Sequence, residues 1–298
     1  MIENNKKISF CLFTYNQEEY IQEAFESVLK QHYSPLEIII SDDCSTDSTC
    51  AIIEDIIANY KGPNKIIFNR NEKNMGVSAH FSKVCELATG DYFILLACDD
   101  VSKENHIQTA VSYIEKYPDV LMVDFNGRII NGKGEDKGVY QDLKFKEKKY
   151  TLNDYLNLEP ISTFAPGRIM SKELMSNFGP ISKNCPTEDS VLVLRTLMLG
   201  SLLRVNEDLI LYRRHDNNVS SAGNLRKISN LSIVAQYYRD LLKFYDDKKI
   251  DDKGFERLFK RIGLEYKLRK LKFDGKKSKL NTLSKVIRIK FLNIAYKR

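Results

Sequence analysis

Short apolar runs alternate with segments of helical period through the first 125 residues, and each run ends in a polar cluster. Ile8-Ser9-Phe10-Cys11-Leu12-Phe13 predicts a strand, Thr14 to Glu19 a polar turn, and Tyr20, Ile21, Ala24, Phe25, Val28 and Leu29 the apolar face of a helix. The rhythm repeats with a strand at Glu37–Ile40, the acidic turn Ser41 to Asp47, and a helix carrying Ile52, Ile53, Ile56 and Ile57. A strand at Ile66–Phe68, a loop to Gly76 and a helix over Val77–Ala88 follow. The strongest signal is Tyr92-Phe93-Ile94-Leu95-Leu96-Ala97-Cys98-Asp99-Asp100, an apolar run entered through Thr89-Gly90 and ended by two adjacent carboxylates. It reads as a strand covered on both faces that delivers charge to its C-terminal edge, where open α/β sheets bind ligands. The competing reading makes Asp100 the cap of a helix starting near Ser102. This βαβα order predicts a mainly parallel sheet with helices on both faces.

After a helix over about 103–117 and a strand at Val120–Val123 the rhythm breaks. Residues 131–138 read as a loop or hairpin tip, and 151–179 as short elements packed over the sheet edge. Pro186-Thr187-Glu188-Asp189 opens an apolar helix ended by Gly200, and two short strands, 202–205 and 209–212, precede Arg213-Arg214-His215. From about Leu225 onward the pattern is helical.

Composition adds two constraints. With 298 residues, 43% hydrophobic and 29% charged, the chain suits one α/β domain plus a helical appendage. It holds no apolar run near 18 residues and enters a strand directly after Lys7, so a cytoplasmic protein is expected. Six cysteines show no metal-ligand spacing and are expected to be reduced and structural. The net charge of +6 is uneven: residues 243–298 hold 19 Lys+Arg against 7 Asp+Glu, which leaves an acidic body. A basic amphipathic tail either packs on the domain or seeks an anionic membrane surface.

The three clusters Thr14-Tyr15-Asn16, Asp42-Asp43 and Asp99-Asp100 each suit ordinary turns, yet together they supply what a nucleotide pocket needs. One carboxylate can accept from a base imide, another from ribose hydroxyls, and a third can hold a divalent cation on a diphosphate. No GxGxxG or GxxxxGK[ST] loop is present, so a metal would carry phosphate recognition. Glu188-Asp189 offers a general base for a hydroxyl acceptor, or simply acids at a helix N-terminus. Arg213, Arg214 and His215 are candidate diphosphate and metal contacts, or a surface loop after a strand.

The order Thr14-Tyr15-Asn16-Gln17-Glu18-Glu19-Tyr20, Glu37 to Asp47, Asn74-Met75-Gly76-Val77-Ser78, Ala88-Thr89-Gly90-Asp91-Tyr92 and Asp99-Asp100 resembles family 2 glycosyltransferases of the GT-A fold. The resemblance spans roughly residues 6–220. It implies a catalytic domain over 1–222, with a donor half to about 125 and an acceptor half from 126, followed by a basic helical extension over 223–298. The donor-binding residues it implies are Phe13, Thr14, Tyr15, Asn16, Glu18, Asp42, Asp43, Asn74 and Asp99, with Asp43 on the nucleobase and Asp99 on the ribose. Asp100 is the expected ligand of Mn²⁺ or Mg²⁺, with Asp99 and His215 as further candidates. Ala97 stands where many members carry a leading acid. Arg213 and Arg214 fall to the diphosphate, and Asp189, with Glu188 second, to the general base. The expected activity is inverting transfer of a sugar from a nucleotide diphosphate sugar to a hydroxyl of a saccharide or lipid-linked saccharide, in surface-polysaccharide synthesis at the inner membrane face. The rivals are a nucleotidyltransferase, disfavoured by the neutral-to-acidic loop after the first strand, and a nucleic-acid-binding protein, disfavoured by the acidic body.

Overall fold

The computed structural model describes residues 6–215, 218 and 230–277, the side chains to 270. Elements run β1 (Ile8–Thr14), α1 (Ile21–Leu29), β2 (Leu36–Asp42), α2 (Thr49–Asn59), β3 (Lys65–Arg70), α3 (Val77–Leu87) and β4 (Tyr92–Ala97). Then come β5 (Val101–Ser102), α4 (His106–Lys116), β6 (Val120–Asn131), β7 (Asp136–Val139), β8 (Glu147–Tyr150), α5 (Leu152–Leu156), β9 (Ile169–Ser171) and α6 (Glu173–Ser176). The chain continues through α7 (Asp189–Leu199), β10 (Ser201–Arg214), α8 (Asn230–Asp246) and α9 (Asp252–Lys277). One mixed sheet has the order β3-β2-β1-β4-β9-β6-β10-β5, with β7 on β6 and β8 on β10. The four strands read from the opening rhythm pair in parallel, so their C-terminal ends share one edge.

Alternation along those strands divides the core in two. Phe10, Leu12, Ile38, Ile40, Ile94 and Leu96 face α1, α2 and α4, whereas Cys11, Ile39, Phe93 and Leu95 face α3, α7, α8 and α9. The C-terminal helices are therefore continuous with the domain: Ile233, Val234, Tyr237, Leu241, Phe244, Leu258 and Ile262 are buried in the same cluster as the sheet. A buried ion pair joins them to α7, with Arg195 Nε 2.8 Å and Nη2 3.0 Å from the two oxygens of Asp240. The described part of the 223–298 extension thus packs as core, and the last apolar stretch of the tail, Val286 to Ile294, lies outside the described residues.

Three expectations need correction. The two strands predicted at 202–205 and 209–212 are one strand, β10, because polar Asn206-Glu207-Asp208 is absorbed by register shifts against β6 rather than by a turn. β9 is only three residues long and leaves no periodic signal, yet it lies antiparallel between β4 and β6. Asp100 caps no helix: α4 begins at His106, with Asn105 before it.

The entry to β4 is fixed by a buried acid. Glu37 accepts from Ser9 Oγ at 2.5 Å, Thr89 N at 2.6 Å and Thr89 Oγ1 at 2.7 Å, and Lys7 Nζ lies 3.1 Å away. Gly90 passes so close to β1 that a Cβ there would stand 2.7 Å from Ser9 N. Burial alone would raise the Glu37 carboxyl, but these donors outweigh it and hold the group down at about 2. The stabilisation is fully present above the ordinary glutamate range and is lost as pH falls through that range towards 2. Glu37→Gln is expected to cost about 1–3 kcal/mol at neutral pH and to flatten the pH dependence of urea unfolding below pH 5. An unchanged wild-type slope in the variant would dismiss Glu37 as its source.

Candidate active site

The loops after β1 and β2 are stitched to each other. Asn16, in the left-handed region at φ 52°, donates its N–H to Ser45 Oγ at 2.8 Å and accepts from Thr46 N at 2.9 Å. Gln17 N donates to Thr49 Oγ1 at 2.9 Å, and the Glu18 carboxylate accepts from Ser48 N at 2.9 Å. Asp42 is fully buried, accepting from Ser45 N at 2.8 Å and from Ser45 Oγ. Asp42 therefore braces its own loop, and the Glu18 carboxylate holds the start of α2. Phe13 packs edge-on to His80, and Thr14 is buried, its carbonyl accepting from Asp43 N at 2.9 Å. Tyr15 is exposed at the edge.

Asp43 organises the loop before α3. It accepts from Asn71 Nδ2 at 2.8 Å, Met75 N at 2.9 Å and Gly76 N at 2.9 Å. The last of these needs the positive φ of Gly76, 76°, and the Asn74 side chain accepts from the same N–H at 3.1 Å. Of about four acceptor positions on a carboxylate, three are thus occupied, leaving about one for a base N–H. His80 is buried, its Nε2 2.7 Å from Ser41 Oγ, and burial lowers its pKa.

At the end of β4 the two carboxylates part company. Asp100 is 2% exposed, accepts from Arg213 N at 2.8 Å, and is pushed well above the usual range by burial and by its neighbour Asp99. Asp99 keeps a more open side chain, with Oδ2 3.1 Å from His215 Nε2 and 2.9 Å from Asn218 Nδ2. His215 rests on the Tyr20 ring, centroids 4.9 Å apart. Of the groups that could hold Mn²⁺ or Mg²⁺, Asp99 with His215 beside it is the more open and Asp100 the more buried. Among the described residues no group of three or more His, Cys, Asp and Glu converges, so diphosphate oxygens and water would have to complete the shell.

Arg213 lies at the junction of several elements. The guanidinium is buried: Nε donates to Asp99 O at 2.8 Å, Nη1 reaches Asn131 O at 3.3 Å, and Nη2 holds the Glu23 carboxylate. It ties together α1, the end of β4 and β6. Arg214 faces the other way on the strand, exposed beside the Tyr212 ring.

Glu188 and Asp189 stand at the start of α7. Burial, then the Asp189 charge, raises the Glu188 carboxyl to about 8, and its buried Oε2 has no hydrogen-bond partner among the described residues. The Asp189 side chain remains about half open, at 49%. Burial of the carboxyl among its neighbours raises its pKa, while Arg168 opposes that rise. Arg168 Nη1 lies 3.8 Å from Asp189 Oδ1 and 3.4 Å from its carbonyl. The same guanidinium grips buried Asp124 with Nε–Oδ1 and Nη2–Oδ2 distances of 3.0 Å. Neither Arg168 nor Asp124 was singled out from the sequence. A lone acid inside the apolar run Val120–Phe125 was the available signal, because a buried carboxylate requires a partner.

Strand pairing links the two halves of the site: Gly167 N donates to Leu95 O at 2.9 Å, so Arg168 sits beside the strand that ends in Asp99. Comparison with known proteins agrees with this architecture. TarS from Staphylococcus aureus, solved with UDP-GlcNAc, superposes with a TM-score of 0.68 at 18% identity, covering 93% of this chain and 76% of that one. The mannosyltransferase PcManGT from Pyrobaculum calidifontis, solved with GDP-Man and Mn²⁺, gives 0.58 at 14%, covering 89% and 70%. The fold is thus GT-A. In sequence, the abequosyltransferase RfbV of Salmonella typhimurium is 36% identical over 119 residues, 39% of this chain and 35% of the relative. The poly(ribitol-phosphate) β-N-acetylglucosaminyltransferase TarS is 27% identical over 227 residues, 72% of this chain. The chain spans only 37% of TarS's length, and 35% of RfbV's. The family model for glycosyl transferase family 2 matches residues 9–177, more than half of the chain, and the protein belongs to that family.

Proposed function

We propose that the protein is an inverting, metal-dependent glycosyltransferase that moves a sugar from a nucleoside diphosphate sugar to a hydroxyl of a saccharide or lipid-linked saccharide in cell-surface polysaccharide synthesis. What supports this reading above all is that one sheet edge carries both the Asp99–His215 pair and, through Arg168, the half-open Asp189 carboxylate. In this reading the loop held by Asp43 receives the nucleobase, and Tyr15 and Arg214 are the exposed groups beside the sugar nucleotide. Asp189 takes the acceptor hydroxyl proton as the diphosphate departs from the opposite face. Mn²⁺ or Mg²⁺, held by Asp99 and His215, would neutralise the leaving diphosphate.

A thermal-shift panel of UDP-, GDP- and CDP-linked sugars, each with and without Mn²⁺, tests the proposal. At least one nucleotide sugar is expected to raise Tm in a Mn²⁺-dependent way; no shift with any of them contradicts it.

Attachment to an anionic membrane surface belongs to the same proposal and rests on the charge of the tail. No helix among the described residues is long and apolar enough to cross a membrane. Deleting residues 275–298 is expected to weaken co-sedimentation with anionic vesicles while transfer to a soluble acceptor persists. Equal sedimentation of both forms at moderate salt would remove the tail as an anchor.

A further inference from the structure

We infer that Arg168, backed by Asp124, is the positioning residue of the acceptor-side carboxylate: it fixes the direction of Asp189 while Asp124 absorbs its charge. This rests on the reading of Asp189 as general base. Three observations lead to it. First, the guanidinium has no freedom to turn. Its Nε and Nη2 are held in a two-pronged grip by Asp124, which also accepts from Phe164 N at 2.9 Å. The backbone on either side is pinned as well, with Gly167 N on Leu95 O at 2.9 Å and Gly167 O 2.8 Å from His106 Nε2. Second, the remaining nitrogen, Nη1, faces the carboxylate and carbonyl of Asp189 at the first turn of α7. Third, the charges balance in an unusual way. An isolated arginine beside an aspartate lowers its pKa and weakens it as a base. Here burial raises the Asp189 pKa, Arg168 opposes that rise, and the buried Asp124 charge offsets Arg168, so Asp189 receives orientation without the full acidifying effect of an unpaired arginine.

The acids, thiols and hydroxyl packed around the pair are held towards their neutral forms. Glu188 is raised to about 8, and Cys85 on α3, Cys185 before α7 and the Tyr237 hydroxyl on α8 are all raised by burial. Buried Arg204 on β10 faces Asp124 from the far side. Among the described residues in this corner, Asp189 is the half-open carboxylate.

Arg168→Lys keeps the charge but removes the fork, and Asp124→Asn releases the charge of Arg168 onto Asp189. With the nucleotide sugar selected by the panel, Arg168→Lys is expected to lower kcat by about 100-fold with the donor KM unchanged. Asp124→Asn is expected to move the acid limb of the kcat–pH profile to lower pH. Calorimetric binding of the matching nucleoside diphosphate with Mn²⁺ serves as the check that both variants are folded. Wild-type kcat and an unmoved limb in both folded variants overturn the inference, while an inactive Asp189→Asn in the same series leaves the base assignment standing. An active Asp189→Asn removes the base assignment itself and this inference with it. If neither variant folds, the wild-type profile decides: an acid limb at or below the ordinary aspartate range contradicts a charge-absorbing Asp124.

Discussion

Replacing Asp189 with Asn is expected to lower kcat by roughly two to four orders of magnitude and to leave donor affinity within about twofold. The substitution keeps the volume of the side chain and one acceptor oxygen, so the contact of Arg168 with the Asp189 carbonyl survives. What it removes is the ability to take a proton. Donor affinity is expected to be spared because Asp43 and Asp99, proposed for the nucleotide side, are held by the loop before α3 and by residues after β10, not by α7. Glu188→Gln is expected to do less harm. The Glu188 carboxyl, raised to about 8, is already largely protonated at neutral pH, and an amide resembles a protonated carboxyl in its donors and acceptors. Steady-state kinetics on both variants, with calorimetry for the donor, separate the two carboxyls. Full activity in Asp189→Asn with a dead Glu188→Gln would hand the role to Glu188.

The second large effect concerns the pair at the end of β4. Asp99→Asn is expected to reduce kcat/KM by about 1,000-fold and to abolish the response to Mn²⁺, since charge stabilisation at a leaving diphosphate contributes several kcal/mol. Asp100→Asn is expected to keep the Mn²⁺ response. Its carboxyl is buried, is pushed towards the neutral form, and faces the Arg213 N–H, which an amide oxygen can still satisfy. Mn²⁺ titration of activity in the two variants gives opposite outcomes according to which acid holds the cation. Loss of the Mn²⁺ response in Asp100→Asn with its retention in Asp99→Asn would return the site to Asp100.

The difference between those two acids shows what the sequence could and could not convey. Alternation of Phe10, Cys11 and Leu12, or of Ile38, Ile39 and Ile40, reports a strand buried on both faces because the pattern is local. The Asp99-Asp100 pair likewise announces a charged strand end. Which acid turns inward depends on β10, more than a hundred residues later, whose Arg213 backbone N–H claims Asp100. Arg213 and Arg214 are neighbours in sequence and opposites in space: one is a buried lock and the other exposed. Arg168 with Asp124, and Arg195 with Asp240, also join different elements, 44 and 45 residues apart. Each needs a partner on another element before it can be buried, and no spacing rule along the chain reveals such a pair. The same long-range pairing explains why α8 and α9, read as an appendage, share the core of the sheet.

The most direct test is metal-dependent release of nucleoside diphosphate from the panel of nucleotide sugars, with a bacterial envelope glycan fraction as acceptor, in wild type, Asp99→Asn and Asp189→Asn. The account predicts Mn²⁺- or Mg²⁺-dependent release from at least one donor by the wild type, with both variants slowed by at least two orders of magnitude. Release that continues at the wild-type rate in both variants, or none from any donor by the wild type, would contradict it.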